Sequence, residues 1–250
     1  CLFGLAPALR AAAVQPAGAL KGGADPHSKR RLMHSLIAVQ TAFCFLVIFL
    51  AGLFVATFQR LSQRPTGFQA EGLLVLETVA QRPQPTVYWD QVAAQLRTLP
   101  GVLSVAQSGW PLLGGRAWNG FISVNAAPPG PVLAYFLDVS PGWLDTMRIR
   151  FLEGTDFRRG DTTPGPAIVN QAFVRQFLPN QRPIGTLFAK GDLRFHVIGV
   201  VQDSPYRDIH EATPPVVYVP HLQLDAKGAE RSIGRASYLV RATSGDPLSI

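Results

Sequence analysis

The stretch from Leu32 to Gln59 contains no Asp, Glu, Lys or Arg and is dense in Leu, Ile, Val, Phe and Ala. A run of about 20 apolar residues is enough to cross a bilayer as an α-helix. This one is longer, so it can tilt or extend past the headgroups. A buried helix of a soluble protein rarely stays free of charge over such a length. A cleaved signal peptide has a shorter apolar region and a shorter basic lead. The stretch therefore divides the chain into residues 1–31, a transmembrane helix over 32–59, and residues 60–250. Lys29, Arg30 and Arg31 stand just before it, with Arg10 and Lys21 further back and only Asp25 opposing them. Cytoplasmic flanks collect Lys and Arg, so residues 1–31 are expected in the cytoplasm and 60–250 outside. Arg60 and Arg64 on the far flank reduce the contrast without reversing it.

The formal net charge of +7 divides unevenly along the chain. Residues 1–31 hold five basic residues against one acid, and residues 60–250 hold eighteen against fifteen. More than half of the excess lies beside the membrane, where anionic lipid is the natural partner. No basic stripe interleaved with aromatics occurs, which argues against a nucleic-acid partner. Arginine outnumbers lysine nineteen to four amid abundant Ala, Gly and Pro, a pattern of coding bias rather than of a binding site. The two cysteines, Cys1 and Cys44, lie at the chain start and inside the apolar run, so they build no disulfide framework for the outer part. The chain starts without Met and stops at Ile250, just after Gly245-Asp246-Pro247 opens a helix-like stretch, so a piece of a longer protein is expected.

Within residues 1–31, Pro7 to Leu20 reads as a short amphipathic helix near the membrane surface, anchored by Leu9, Val14 and Leu20 and broken by Gly22-Gly23. Beyond Gln59 the pattern becomes α+β. Strands are predicted at 72–79, 102–108, 121–124, 132–139, 167–169, 195–201, 216–219 and 238–240. Thr86 is predicted to cap a helix carrying Tyr88, Val92, Leu96 and Leu99, ended by Pro100-Gly101. Ser140 is predicted to cap a short helix through Trp143 and Met147, and a further helix follows Asn170 with Phe173, Val174 and Phe177. The β-α-β order occurs around Thr86 and again around Asn170. The expected fold is therefore α+β: one transmembrane helix followed by a two-lobed mixed α/β extracytoplasmic domain.

Catalytic signatures are missing from the sequence. Gly22-Gly23 and Gly114-Gly115 lack the spacing and the Lys-Ser/Thr of a phosphate loop, and no G-x-S-x-G elbow occurs. The histidines at 27, 34, 196, 210 and 221 are not spaced with Cys or carboxylates as zinc sites need. His196 reads as a packed or edge residue of its strand. His210 and His221 flank a strand and could approach each other near Asp203 and Asp208. Asp156 and Asp161, close to Gly154 and Gly160, read as turn residues. No catalytic residue, cofactor or metal is expected.

The ordered motifs resemble those of MacB/FtsX-type ABC transporter permeases, in particular the large duplicated permeases of acidobacterial type. Leu2-Phe3-Gly4-Leu5-Ala6 through Arg10, followed by Ala19-Leu20-Lys21-Gly22-Gly23, is similar to the end of a first permease half. Leu32 to Gln63 with Pro65-Thr66-Gly67-Phe68 is similar to the first membrane helix of the second half and its exit. Leu99-Pro100-Gly101-Val102, Pro111-Leu112, Val139-Ser140-Pro141-Gly142, Gly154-Thr155-Asp156-Phe157, Ile168-Val169-Asn170, Pro183-Ile184-Gly185, Val197 to Val201 and Val217-Tyr218-Val219-Pro220 resemble the MacB-like periplasmic core domain. The match fades at 228–235, which reads as a variable loop.

The resemblance implies a permease subunit of the bacterial inner membrane, working with a separate ABC ATPase and with a second permease half or a homodimer partner. It also implies mechanotransmission: ATPase-driven motion carried outward for efflux or export of an envelope substrate. Arg10, Val14 and Leu20 would form the ATPase-coupling segment, and residues 60–71 a stalk interrupted at Pro65-Thr66-Gly67. Gly101, Pro111, Gly154, Asn170, Pro183, Gly185 and Pro220 are expected to shape the fold. Gly154, Gly160 and Gly185 suit turns of positive φ, and Pro111, Pro183 and Pro220 suit strand ends and loops. A single-span membrane-anchored sensor or binding module shares the layout, but residues 1–31 are short for a signalling part. An anchored hydrolase would need a nucleophile–base pair that the sequence does not show.

Overall fold

The computed structural model describes residues 26–62, 67–225 and 227–243. The chain forms two compact units, Cys1–Arg64 and Pro65–Ile250. The first contains α1 (Pro26–Ser62), of 37 residues. At 1.5 Å per residue it is roughly 55 Å long, against about 30 Å of bilayer hydrocarbon. Its uncharged segment Met33–Gln59 is long and apolar enough to cross a membrane. Every side chain of that segment is exposed, Phe54 by 72%. That pattern is costly in water and natural in lipid. Thr41 Oγ1 donates to the carbonyl of Ile37 at 2.8 Å, so the hydroxyl is satisfied within the helix.

The second unit is organised by one mixed sheet. Its strands are β1 (Leu73–Gln84), β2 (Val102–Ser108), β3 (Trp118–Phe121), β4 (Ser123–Val124), β5 (Leu133–Val139), β6 (Phe151–Gly154), β7 (Pro166–Asn170), β8 (Leu187–Lys190), β9 (Leu193–Val201), β10 (Val216–Pro220) and β11 (Ile233–Ala242). The main path runs β1-β11-β2-β5-β10-β7-β9-β8-β4, with β3 on β5 and β6 on β9. Three helices accompany it: α2 (Thr86–Arg97), α3 (Trp143–Thr146) and α4 (Gln171–Phe177).

The two expected β-α-β units are both present, and they form the two halves of this sheet. In the first, β1 and β2 flank β11, which is antiparallel to both. In the second, β7 and β9 are directly parallel neighbours. The halves meet where β2 pairs with β5 through a single residue pair, Ser108↔Val139.

Period-two alternation sorts the side chains into layers. On β11, Tyr238 and Val240 join Trp89 and Ala93 of α2, while Leu239 points to the opposite face with Trp143 and Leu144. On β10, Val216 and Tyr218 join the Trp143 cluster, whereas Val217 and Val219 pack with Phe173 of α4, Phe188 and Phe195. β10 is buried along its whole length, which explains its unbroken run of apolar side chains.

Several local expectations are corrected. Thr86 does not cap α2: the cap is Pro85, which has no side-chain hydrogen bond to offer, and the Thr86 amide donates to Glu230 Oε1 at 2.5 Å. A carboxylate from a distant loop thus meets the positive end of the helix. The inward face of α2 is Thr86, Trp89 and Ala93, with the expected Val92 and Leu96 packed against the same cluster, whereas Tyr88 and Leu99 are exposed. Ser140 does not cap α3 by its side chain; its Oγ accepts the Gln107 amide at 2.9 Å, and Asp156 Oδ2 takes the Gly142 amide at 2.8 Å instead. The strand expected at 121–124 is split, with Phe121 ending β3 on β5 and Ser123–Val124 pairing with β8. The stretch 228–235 is not all loop, since Ile233 and Arg235 are paired to β1.

Candidate functional site

Two places in the second unit concentrate buried or partly buried polar groups. The first lies at the join of the two half-sheets. Gln107 at the end of β2 donates through Nε2 to the Trp89 carbonyl and to Asp90 Oδ1, each at 3.1 Å. His221, just beyond β10, holds the Val139 carbonyl with its amide at 3.0 Å and places Nε2 3.2 Å from the same Asp90 oxygen. Asp90 therefore joins α2 of one half to β10 of the other. His221 Nδ1 is buried without a hydrogen-bond partner among the described residues. A cleft of about 410 Å³ opens over this join, between α2, the Ser140–Pro141 turn, the 158–161 loop and the end of β10.

Two carboxyls here respond oppositely to their surroundings. The hydrogen bond and the charge of His221 hold Asp90 below the usual carboxylate range, against partial desolvation. Asp138 on β5 is buried, and desolvation pushes its carboxyl up, opposed by its own backbone amide and by His221. Unfolded, Asp138 ionises near 3.8. The folded chain keeps its proton to higher pH, so the native state binds more protons in that window and stability falls as pH rises through it. Asp138→Asn is expected to remove this slope and to retain full stability at neutral pH. Urea unfolding from pH 4 to 8, followed by tryptophan fluorescence, checks it, since all four tryptophans lie in the second unit. A large loss of stability at neutral pH in the variant would show that the charge has a structural use.

The second place is the lead-in to β1. Arg241 of β11 is 4% exposed and makes no ion pair among the described residues, although the charge of Asp145 favours its own. Its guanidinium donates instead to three carbonyls: Thr146 at the end of α3 (2.6 Å), Glu71 (2.8 Å) and Gln69 (2.7 Å). Carbonyls at a helix C-terminus and a planar fork of donors are well matched to such a role. The lead-in is held by further bonds: Gln69 donates to Met147 O at 3.0 Å, Gln202 Nε2 donates to Gly67 O, and Ala242 donates to Gly72 O at 2.8 Å. Residues 67–72 are thus tied to β11, to α3 and to the end of β9.

Residues 41–249 match the MacB-like periplasmic core domain family. The chain belongs to that family. Among solved structures, the periplasmic region of MacB from Actinobacillus actinomycetemcomitans aligns over 76% of this chain and 83% of its own, at 12% identity and a TM-score of 0.49. The extracellular domain of the ABC-type transporter YknZ from Gram-positive bacteria aligns over 70% and 87%, at 14% identity and a TM-score of 0.45. No curated protein matches the sequence. The MacB-like periplasmic core domain is a component of ABC-type transporter permeases rather than an enzyme by itself.

Within this MacB-like domain the residues singled out by sequence are dispersed. Arg10, Val14 and Leu20 lie outside the described residues. Asn170 is fully buried: Oδ1 accepts from the amides of Phe173 and Val216, and Nδ2 donates to the Pro214 carbonyl. Gly101 turns from α2 into β2 at φ 84°, and its carbonyl receives the Thr243 amide. Gly154 ends β6 at φ 83°, close against the backbone of Ile198. Pro111 and Pro183 begin turns closed by Gly114 and Thr186, Gly185 donates to Val197 O, and Pro220 ends β10. His210 and His221 have different partners: His210 Nδ1 meets Asp208 at 2.7 Å, and His221 meets Asp90. The sequence signal for Arg241 is weak, a lone charge after Tyr238-Leu239-Val240 that marks a buried polar anchor.

Proposed function

We propose that this chain is part of a permease subunit of an ABC-type transporter in the bacterial inner membrane, with residues 1–31 cytoplasmic and the MacB-like domain periplasmic. A separate ABC ATPase contacts the Arg10–Leu20 segment, and a second permease half or a second copy completes the assembly. ATPase-driven motion of α1 passes outward through residues 60–71 and serves efflux or export of an envelope substrate. The observation that carries this reading is the three-carbonyl hold of Arg241. It ties residues 67–72 to the last strand and to α3, which supports a reading in which displacement of one passes to the others. Family membership supports the transporter setting.

The test is reconstitution of the intact permease with its ATPase. Leu9→Asp together with Leu20→Asp is expected to abolish permease stimulation of ATP hydrolysis while leaving the unfolding of the outer domain unchanged. Undiminished stimulation would overturn the assignment of this segment.

A further inference from the structure

We propose that the cleft between the two halves of the sheet binds an amphipathic organic anion. Its volume, about 410 Å³, lies in the range that accommodates small organic ligands. Its lining has an apolar part, with Val87, Pro141 and Leu222, and a basic part, with Arg97, Arg158 and Arg159.

The two carboxylates of the cleft are already engaged. Asp90 is held by His221 and Gln107, and Asp161 Oδ2 accepts the Arg158 amide at 2.8 Å. Arg97 is immobilised by two bonds to the Val105 carbonyl, at 3.2 and 2.8 Å. Arg158 and Arg159 are exposed on a turn closed by Asp161, and their guanidiniums have no hydrogen bond or ion pair among the described residues. The cleft thus offers unspent forked donors beside an apolar wall. A carboxylate accepts such donors two at a time, while an attached hydrocarbon body covers Val87, Pro141 and Leu222.

The position adds a consequence. Val87 and Arg97 belong to α2 of one half, whereas Arg158, Arg159 and Leu222 belong to the other, and the half-sheets meet at a single residue pair. A ligand spanning the cleft bridges both halves across their narrowest join.

The experiment is equilibrium dialysis of the full chain in lipid nanodiscs against naphthalene-1-acetate, with naphthalene-1-methylamine as the cation of matching body and empty nanodiscs subtracted. Saturable uptake of one anion per chain is expected, at least tenfold tighter than the cation. Arg158→Ala with Arg159→Ala is expected to weaken it at least tenfold, and Arg82→Ala, on the exposed end of β1, to leave it unchanged. Equal binding of the cation, uptake that does not saturate, or indifference to the double substitution would overturn the proposal. The measurement uses no ATPase or nucleotide, so its outcome is separate from that of the coupling test.

Discussion

Arg241→Leu is expected to destabilise the outer domain by about 4 kcal/mol. The figure follows from charge-assisted hydrogen bonds of about 1.5–3 kcal/mol each, offset by the gain from no longer burying a charge. The substitution leaves the carbonyls of Thr146, Glu71 and Gln69 without their donor. The buried Thr146 carbonyl carries most of the cost, since Gln69 and Glu71 are exposed and water can reach their carbonyls. Arg241→Lys keeps the charge but presents a compact ammonium in place of a planar fork, so it reaches fewer of the three oxygens. It is expected to lose roughly half as much stability. Urea midpoints read by tryptophan fluorescence give both values. Arg241→Lys also separates the mechanical role from the structural one: a folded domain with weakened ATPase stimulation supports transmission through this hold. Wild-type stability in Arg241→Leu would show that the three carbonyls are satisfied in another way.

Asn170→Ala is the second large effect, expected at about 3 kcal/mol. Asn170 caps α4 through the Phe173 amide at 2.9 Å and holds β10 through the Val216 amide at 2.8 Å. Its Nδ2 secures the Pro214 carbonyl at 2.9 Å, so one side chain aligns a helix start with the strand across from it. Asn170→Asp retains the accepting oxygen but removes the donor and buries a charge. It is expected to approach wild-type stability only at acidic pH, where the carboxyl is protonated and regains an O–H donor. Unfolding curves at pH 4 and pH 7 check this. Equal losses at both would show that charge is not the cause.

Much of this architecture is legible in the sequence because its signals are local. The uncharged run ending at Gln59 reads as a membrane helix from length alone, and α1 carries it intact. The β-branched content of Phe195 to Val201 marks a strand, and the apolar run Tyr238 to Val240 marks another, buried on both faces. Errors arise where a distant group replaces a local one. Thr86 looks like a cap, but Glu230 supplies the acceptor from more than a hundred residues away. His210 and His221 are near in sequence, yet His221 finds Asp90 on α2. Ile233–Arg235 reads as loop because its pairing to β1 is set by strand order rather than by its own composition.

The sequence by itself determined a charge-free apolar helix, long enough to cross a membrane, followed by an α+β part, and it supplied two β-α-β units. These follow from hydrophobic period and length, which act over a few turns of chain. Only the tertiary structure decided that β11 enters between β1 and β2, that Arg241 meets the lead-in carbonyls there, and that a cleft opens over the join of the halves. Such pairings depend on which buried polar groups find partners once the chain has closed on itself. A lost partner costs as much as a well-made contact gains, so long-range satisfaction of carbonyls and carboxylates selects among folds that local patterns leave equal.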